Sequence, residues 1–144
     1  MDTEQDPGRE AWRLLFQLFR SERRTMNRAY AACGLNPAQA HLLFSLQDPA
    51  GAPMSELAEE LSFDASYITG LVDRLESRGL VQRLQSPDDR RVKRVALTEA
   101  GLKMRETLKE SLFRPPASIQ SLSIEDRRQL RDIFRRAVDG LQDG

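Results

Sequence analysis

The chain has 144 residues, 40% of them apolar, enough for one compact domain or for a small lobe with helices that pack elsewhere, and too few for two independent domains. Lys plus Arg number 22 and Asp plus Glu number 22, so overall charge gives no general argument for an anionic partner. The single cysteine, Cys33, excludes an intrachain disulfide and a multi-cysteine zinc site, and no apolar run is long enough for a membrane span.

The stretch from Met1 to Glu10 is polar and acidic and lacks the apolar centre of a secretory leader, which predicts a soluble, cytoplasmic protein with no membrane partner. From Ala11 to Cys33 the residues Trp12, Leu15, Phe16, Phe19, Met26, Tyr30 and Cys33 recur mostly at helical spacings, predicting one long amphipathic helix closed by Gly34. Such a helix exceeds what a small lobe needs for its own core, so part of its apolar face is expected to meet a second chain. Asn36-Pro37-Ala38-Gln39 is a capping box with proline at the first helical position, opening a helix to about Gln47. Asp48 to Pro53 reads as a breaker-rich loop, Met54 to Leu61 as a short helix, and Ser62-Phe63-Asp64 as a tight turn whose Asp64 caps a helix to Arg78. Gly79 is available for the left-handed position at its end.

Leu80 to Leu84 and Val92 to Leu97 read as a β-hairpin whose charged tip starts in a type I turn at Ser86-Pro87-Asp88. Thr98 is placed to cap a helix through about Phe113, Pro115-Pro116 stops it, and Ser123 to Asp126 resembles another capping box. The last helix carries Leu130, Ile133, Phe134, Ala137, Val138 and Leu141 as one apolar stripe. The fold class predicted is mainly α with a small β-hairpin wing: a winged helix-turn-helix lobe over residues 35–98, flanked by dimerisation helices at 10–34 and 99–144.

A short helix, a three-residue turn, a second helix and a basic-tipped hairpin is the order that puts one helix into a DNA major groove with a loop beside it. From Arg74 to Arg94 the bases Arg74, Arg78, Arg83, Arg90, Arg91, Lys93 and Arg94 outweigh Glu76, Asp88 and Asp89, so an anionic partner is drawn to the middle of the chain. Within the second helix Ile68, Leu71, Val72 and Leu75 share the face that packs, leaving Ser66, Thr69, Gly70, Asp73 and Ser77 outward with Arg74 at their flank. Short polar side chains let a helix approach base edges closely, and hydroxyls both donate and accept there. Gly70 is explained equally by close approach to DNA or by tight packing. Asp73 either accepts from a cytosine amino group or orients Arg74, and the second is the expectation. At the hairpin tip a carboxylate of Asp88 or Asp89 is expected to hold one of Arg90 and Arg91 while the other projects toward a minor groove; the alternative is a solvated charged turn.

Three segments together resemble the MarR (multiple antibiotic resistance regulator) family: Met54-Ser-Glu-Leu-Ala-Glu-Glu-Leu61, the helix end Leu71-Val-Asp-Arg-Leu-Glu-Ser-Arg-Gly-Leu-Val81, and above all Asp89-Arg-Arg-Val-Lys-Arg-Val-Ala-Leu-Thr-Glu-Ala-Gly101. The resemblance covers about Leu35 to Gly101 by motif and the flanking helices by pattern. It implies a homodimer in which terminal helices interlock and each lobe occupies half of a pseudo-palindromic operator in double-stranded DNA. On the resemblance, the wing aspartate and arginine fall on Asp89 and Arg91, with Arg90 and Lys93 beside them, and the recognition positions fall on Ser66, Thr69, Gly70 and Arg74. Many relatives carry a long basic residue where this chain has Gly70. Members commonly bind small phenolic or aromatic anions in a cleft by the dimer helices, and Trp12, Phe16, Phe19, Tyr30, His41 and Phe44 are the residues here that would line it. An aromatic stripe at helical spacing is more often plain core or dimer interface. The function implied is a repressor released by such a ligand.

Cys33 invites comparison with peroxide-sensing relatives, but their reactive cysteine lies near the start of the first helix, where this chain has Leu14. On the apolar stripe, Cys33 reads as a buried inert thiol. His41 is the only histidine and has no ligand partners at metal spacing. With no Gly-rich phosphate loop, no His-Glu-x-x-His and no second histidine to activate a nucleophile, neither a cofactor nor an enzyme is expected. The rival reading is a winged module for protein contacts, with Arg90 and Arg91 meeting an acidic partner.

Overall fold

The structure, a computed structural model, describes residues 6–47 and 49–141; Asp48 of the predicted loop, the first five residues of the polar N-terminal stretch and the last three of the predicted 99–144 segment lie outside them. Seven helices and three strands follow in the order α1 (Pro7–Ala32), α2 (Pro37–Ser45), β1 (Ala52–Pro53), α3 (Met54–Leu61), α4 (Ala65–Ser77), β2 (Val81–Gln85), β3 (Lys93–Leu97), α5 (Glu99–Leu112), α6 (Ala117–Gln120) and α7 (Ile124–Asp139). Residues up to Leu112 form one compact unit and those from Phe113 a second. No described helix is long and apolar enough to cross a membrane.

Helix α1 starts a turn earlier than its apolar periodicity indicates. Asp6 accepts from the Gly8 N–H at 3.0 Å and Pro7 occupies the first turn, so capping chemistry extends the helix past the apolar stripe. It ends as the glycine signal predicts: Gly34 has φ +67°, the Gly34 N–H donates to Ala31 O and the Leu35 N–H to Tyr30 O, both at 2.9 Å. The Asn36 capping box is present in both directions, 2.9 Å to the Gln39 N–H and 3.0 Å from the Asn36 N–H. The same glycine logic closes α4, where Gly79 has φ +69° and the Leu80 N–H reaches Leu75 O at 3.0 Å.

The sheet is antiparallel with order β1-β3-β2, and the hairpin pairs Val81 with Leu97 through Gln85 with Lys93. Strand β1 was not expected. Pro53 lacks an N–H and so is tolerated only on an edge, which is where Ala52 and Pro53 lie, opposite Val95 and Arg94. The core of the first unit gathers Tyr30, Leu35, Leu42, Leu43, Leu46, Leu57, Ile68, Val72, Leu75, Val81, Val95 and Leu108. Each of the larger side chains contributes roughly 1.5–3 kcal/mol by leaving water. Arg105, buried on α5, donates to Leu46 O and pins α5 to the end of α2.

In the second unit Ser123 caps α7 through the Asp126 N–H at 3.0 Å. The reciprocal half of the predicted box is absent, because the Ser123 hydroxyl itself donates to the Asp126 carboxylate at 2.8 Å. Ile133, Phe134, Val138 and Leu141 of its stripe are exposed, as are Trp12, Phe16 and Phe19 on α1.

Candidate nucleic-acid interface

Helix α4 is set by one buried face, with Ile68, Leu71, Val72 and Leu75 at most 1% exposed, as the apolar spacing requires. Asp64 caps it, accepting from the Tyr67 N–H and the Ser66 hydroxyl, each at 2.8 Å. The Tyr67 N–H, then the Ser66 hydroxyl, hold the Asp64 carboxyl below its ordinary value. Ser66, Thr69, Asp73, Arg74 and Ser77 therefore face outward, and Gly70 is half-buried between them. Thr69 and Ser77 hydroxyls donate to Ala65 O and Asp73 O, both at 2.8 Å, which leaves their lone pairs turned outward as acceptors.

A Cβ added at Gly70 would meet nothing within 4 Å, so tight packing is not why the position is glycine. Tyr67, 42% exposed and edge-on to Phe63 at 4.7 Å, shares the outer face and was missed in the sequence reading. Its spacing of three from Gly70 was the available signal.

The seven basic residues between Arg74 and Arg94 divide into two groups. Arg78 donates to the carbonyls of Gly34 and Cys33, Arg83 pairs with Asp73 and Glu76, and Arg94 donates to the carbonyls of Ala50 and Gly51. Arg74, Arg90, Arg91 and Lys93 are exposed, and among the described residues none of their side chains has an ion pair or hydrogen bond within the chain. The cations left over from building the fold lie on the outer flank of α4 and on the wing. Asp73 consequently corrects one expectation: it orients Arg83 on β2, not Arg74, because Arg83 projects back across the corner toward α4.

The wing tip corrects a second. Its hydrogen-bonded turn is Asp89 to Val92, with the Val92 N–H on Asp89 O at 3.1 Å, rather than a turn opening at Ser86, whose N–H instead extends the ladder to Val92 O at 3.1 Å. Asp89 Oδ1 accepts from the Arg91 backbone N–H at 2.9 Å and holds no guanidinium. A short aspartate satisfies its own turn more readily than it reaches a long neighbouring side chain. Asp89 thus shapes the tip, and both Arg90 and Arg91 project from it.

The six aromatic ligand candidates are not gathered by one chain. Tyr30 is 4% exposed in the core, edge-on to His41 at 6.3 Å, and burial raises its phenol pKa. Phe44 packs half-buried on that core. Phe19 and Trp12 precede Tyr30 on the same helix by about 16 and about 27 Å of axial rise, too far to share its pocket. A shallow depression of about 500 Å³ does occur elsewhere, lined by Ala32, Cys33 and Leu80 with Ala100, Lys103, Met104 and Thr107 of α5. Cys33 is half-buried there, so its expected full burial is only partly realised.

A MarR family profile matches residues 35–93, and the multiple antibiotic resistance protein MarR of Escherichia coli is 33% identical over 89 residues, 62% of each chain. The matched segment, residues 35–93, is of the MarR family. The apo structure of E. coli MarR superposes with a TM-score of 0.72 at 25% identity, covering 87% of this chain and 94% of that one. An uncharacterised transcriptional regulator of Bacillus subtilis, YdgJ, is 30% identical over 109 residues, 74% of this chain and 66% of its own length. CouR of Rhodococcus jostii, solved with p-coumaroyl-CoA bound, is similar at 28% identity and a TM-score of 0.64 over 92% of this chain and 94% of that one. In sequence the chain spans less than two thirds of the length of these curated relatives. The MarR family is one of transcription regulators, and its matched region ends within the wing at Lys93.

Proposed function

We propose that this chain is a cytoplasmic, homodimeric, sequence-specific DNA-binding regulator, a repressor released by a small aromatic ligand. In this reading the lobe over residues 35–98 lays α4 in a major groove, where Ser66, Thr69 and Arg74 meet base edges and phosphates and Gly70 lets the backbone come close. The wing lies over the adjacent minor groove with Arg91 inserted, Arg90 and Lys93 on the flanking phosphates, and Asp89 holding the tip. The observation that carries it is the division of cations: Arg74, Arg90, Arg91 and Lys93 are exposed with no partner in the described chain, and they frame the outer face of α4 and the wing.

The exposed apolar stripes of α1 and α7 support a second copy as the partner, since two half-sites read together bind far more tightly than one. CouR's bound p-coumaroyl-CoA supports a ligand with an aromatic part. His41 and Phe44, beside Tyr30, are the residues of a single chain that would meet it, with Trp12, Phe16 and Phe19 assigned to the interface between chains. A ligand weakens DNA binding only by its differential affinity for one spacing of the two recognition helices.

The test is a gel shift with the DNA upstream of the chain's own gene. Specific retention supports the regulator; retention no different from unrelated DNA of the same length favours the protein-contact module instead.

A further inference from the structure

Arg78 lies at the C-terminal end of α4, yet its guanidinium is committed to another helix. Nη1 donates to Gly34 O at 2.7 Å and Nη2 to Cys33 O at 2.9 Å, across 44 and 45 residues of sequence. Those carbonyls belong to the C-cap of α1 and to the left-handed glycine that follows it, while the Tyr30 and Ala31 carbonyls are met by the backbone N–H groups of the closing turn. The last turn of α1 has no cation of its own. A guanidinium there meets both the lone pairs and the partial negative charge of the helix end.

The two helices otherwise meet through α2 and through the shared core around Tyr30. Helix α1 packs on α2 and α5, whereas α4 packs on α3, α2 and β2. The far side of the same corner is tied to α5, whose cap Thr98 donates its hydroxyl to Gly79 O and its N–H to Leu80 O. The end of α4 is thus clasped between the helix before the lobe and the helix after it, and Arg78 is its bond to the first.

We propose that Arg78 is a positioning residue for DNA recognition: it ties each recognition helix to the end of α1, so that the separation of the two α4 helices follows the placement of the α1 helices in the dimer. The inference rests on the DNA-binding reading given above. Arginine suits the task because its planar fork serves two carbonyls at once, which a lysine ammonium on a flexible stem does not. Arg78 itself contacts no DNA in this scheme.

The experiment uses the full chain, wild type and with Arg78→Gln or Arg78→Lys. Duplexes recovered by the wild type from a randomised pool are remade with one base pair added or removed between half-sites. Affinity is read by fluorescence anisotropy over a salt series, and folding by thermal melting. Arg78→Gln is expected to weaken binding to the recovered duplex about tenfold or more and to flatten the preference for its spacing. Its salt slope should match the wild type, and Arg78→Lys should fall between the two.

Unchanged affinity and spacing preference in Arg78→Gln would overturn the proposal. So would a slope reduced by about 0.9 per site, which would make Arg78 a phosphate contact. If Arg78→Gln does not fold, the folded Arg78→Lys decides: retained spacing preference at full affinity overturns the proposal, and loss of that preference supports it. A wild type that recovers no sequence from the pool defeats the DNA-binding reading itself, a result distinct from any of these.

Discussion

Arg83 on β2 and Asp73 on α4 are joined through Nη2 and Oδ1, while Nη1 of the same guanidinium sits 2.7 Å from Glu76 Oε1 and the Arg83 N–H donates to Glu76 Oε2 at 3.1 Å. The hydrogen bond that the guanidinium donates to Asp73, ahead of the one it donates to Glu76, holds it above its ordinary pKa. This pair ties β2 of the wing to α4. The carboxylates are largely exposed, so the pair adds little stability. Asp73→Ala should therefore change unfolding free energy by less than about 1 kcal/mol in urea titration. On the proposed function the same variant should lower operator affinity measurably, because Glu76 alone then ties Arg83 to α4.

Gly70 tests how closely α4 approaches its partner. With open space where a Cβ would go, Gly70→Ala should stabilise the fold by about 0.5–1 kcal/mol through better helix propensity, seen as a higher urea midpoint. Close approach to DNA predicts weaker binding in the same protein. A stabilised variant that binds the operator as well as the wild type would show that the backbone at this position stays clear of the duplex.

Much of the fold was legible because its signals are local. The Asn36 box, the Asp64 cap, the glycines at 34 and 79 and the Thr98 cap each act within a few residues, and each is present. The outer face of α4 followed from the period of Ile68, Leu71, Val72 and Leu75. What escaped depends on partners far apart in sequence. Nothing in Ala52-Pro53 identifies an edge strand until Val95 is placed beside it, and nothing near Arg78, Arg83 or Arg94 says which arginine is consumed by the fold. The tip turn was displaced by one choice the sequence leaves open: Ser86-Pro87 and Asp89 both favour turns, and the ladder extending to Ser86 selects the second.

Among the described glycines, Gly101 is the one whose added Cβ would come nearest to another atom. A Cβ there would lie 1.9 Å from the carbonyl oxygen of Leu80, so the first turn of α5 approaches the exit of α4 as only glycine allows. The neighbour is backbone, and it is also held by the Thr98 N–H at 3.1 Å. Gly101→Ala should cost about 1–3 kcal/mol in a denaturant titration, as overpacking does.

Acid should loosen α4 first at its cap. Asp64 has a pKa lowered by the Tyr67 N–H and then by the Ser66 hydroxyl, so its charged form is bound more tightly in the folded chain. Stability from this source is complete above the unfolded aspartate value and is lost as pH falls through the lowered folded value. Asp64→Asn keeps an uncharged cap and removes that dependence. The gap in melting temperature between wild type and Asp64→Asn should therefore shrink between about pH 7 and about pH 3; a gap that holds constant would show that the carboxylate charge plays no part.

The wing arginine decides the central claim. A labelled duplex from the DNA upstream of the chain's own gene, titrated with wild type and Arg91→Ala over a range of salt concentrations, gives both affinity and the slope of log K against log salt. Wild type should bind that duplex far more tightly than unrelated DNA. The variant should bind every sequence more weakly, with a slope reduced by about 0.9 for each wing. Equal affinity and equal slope in the two proteins would remove the wing from recognition and contradict the account.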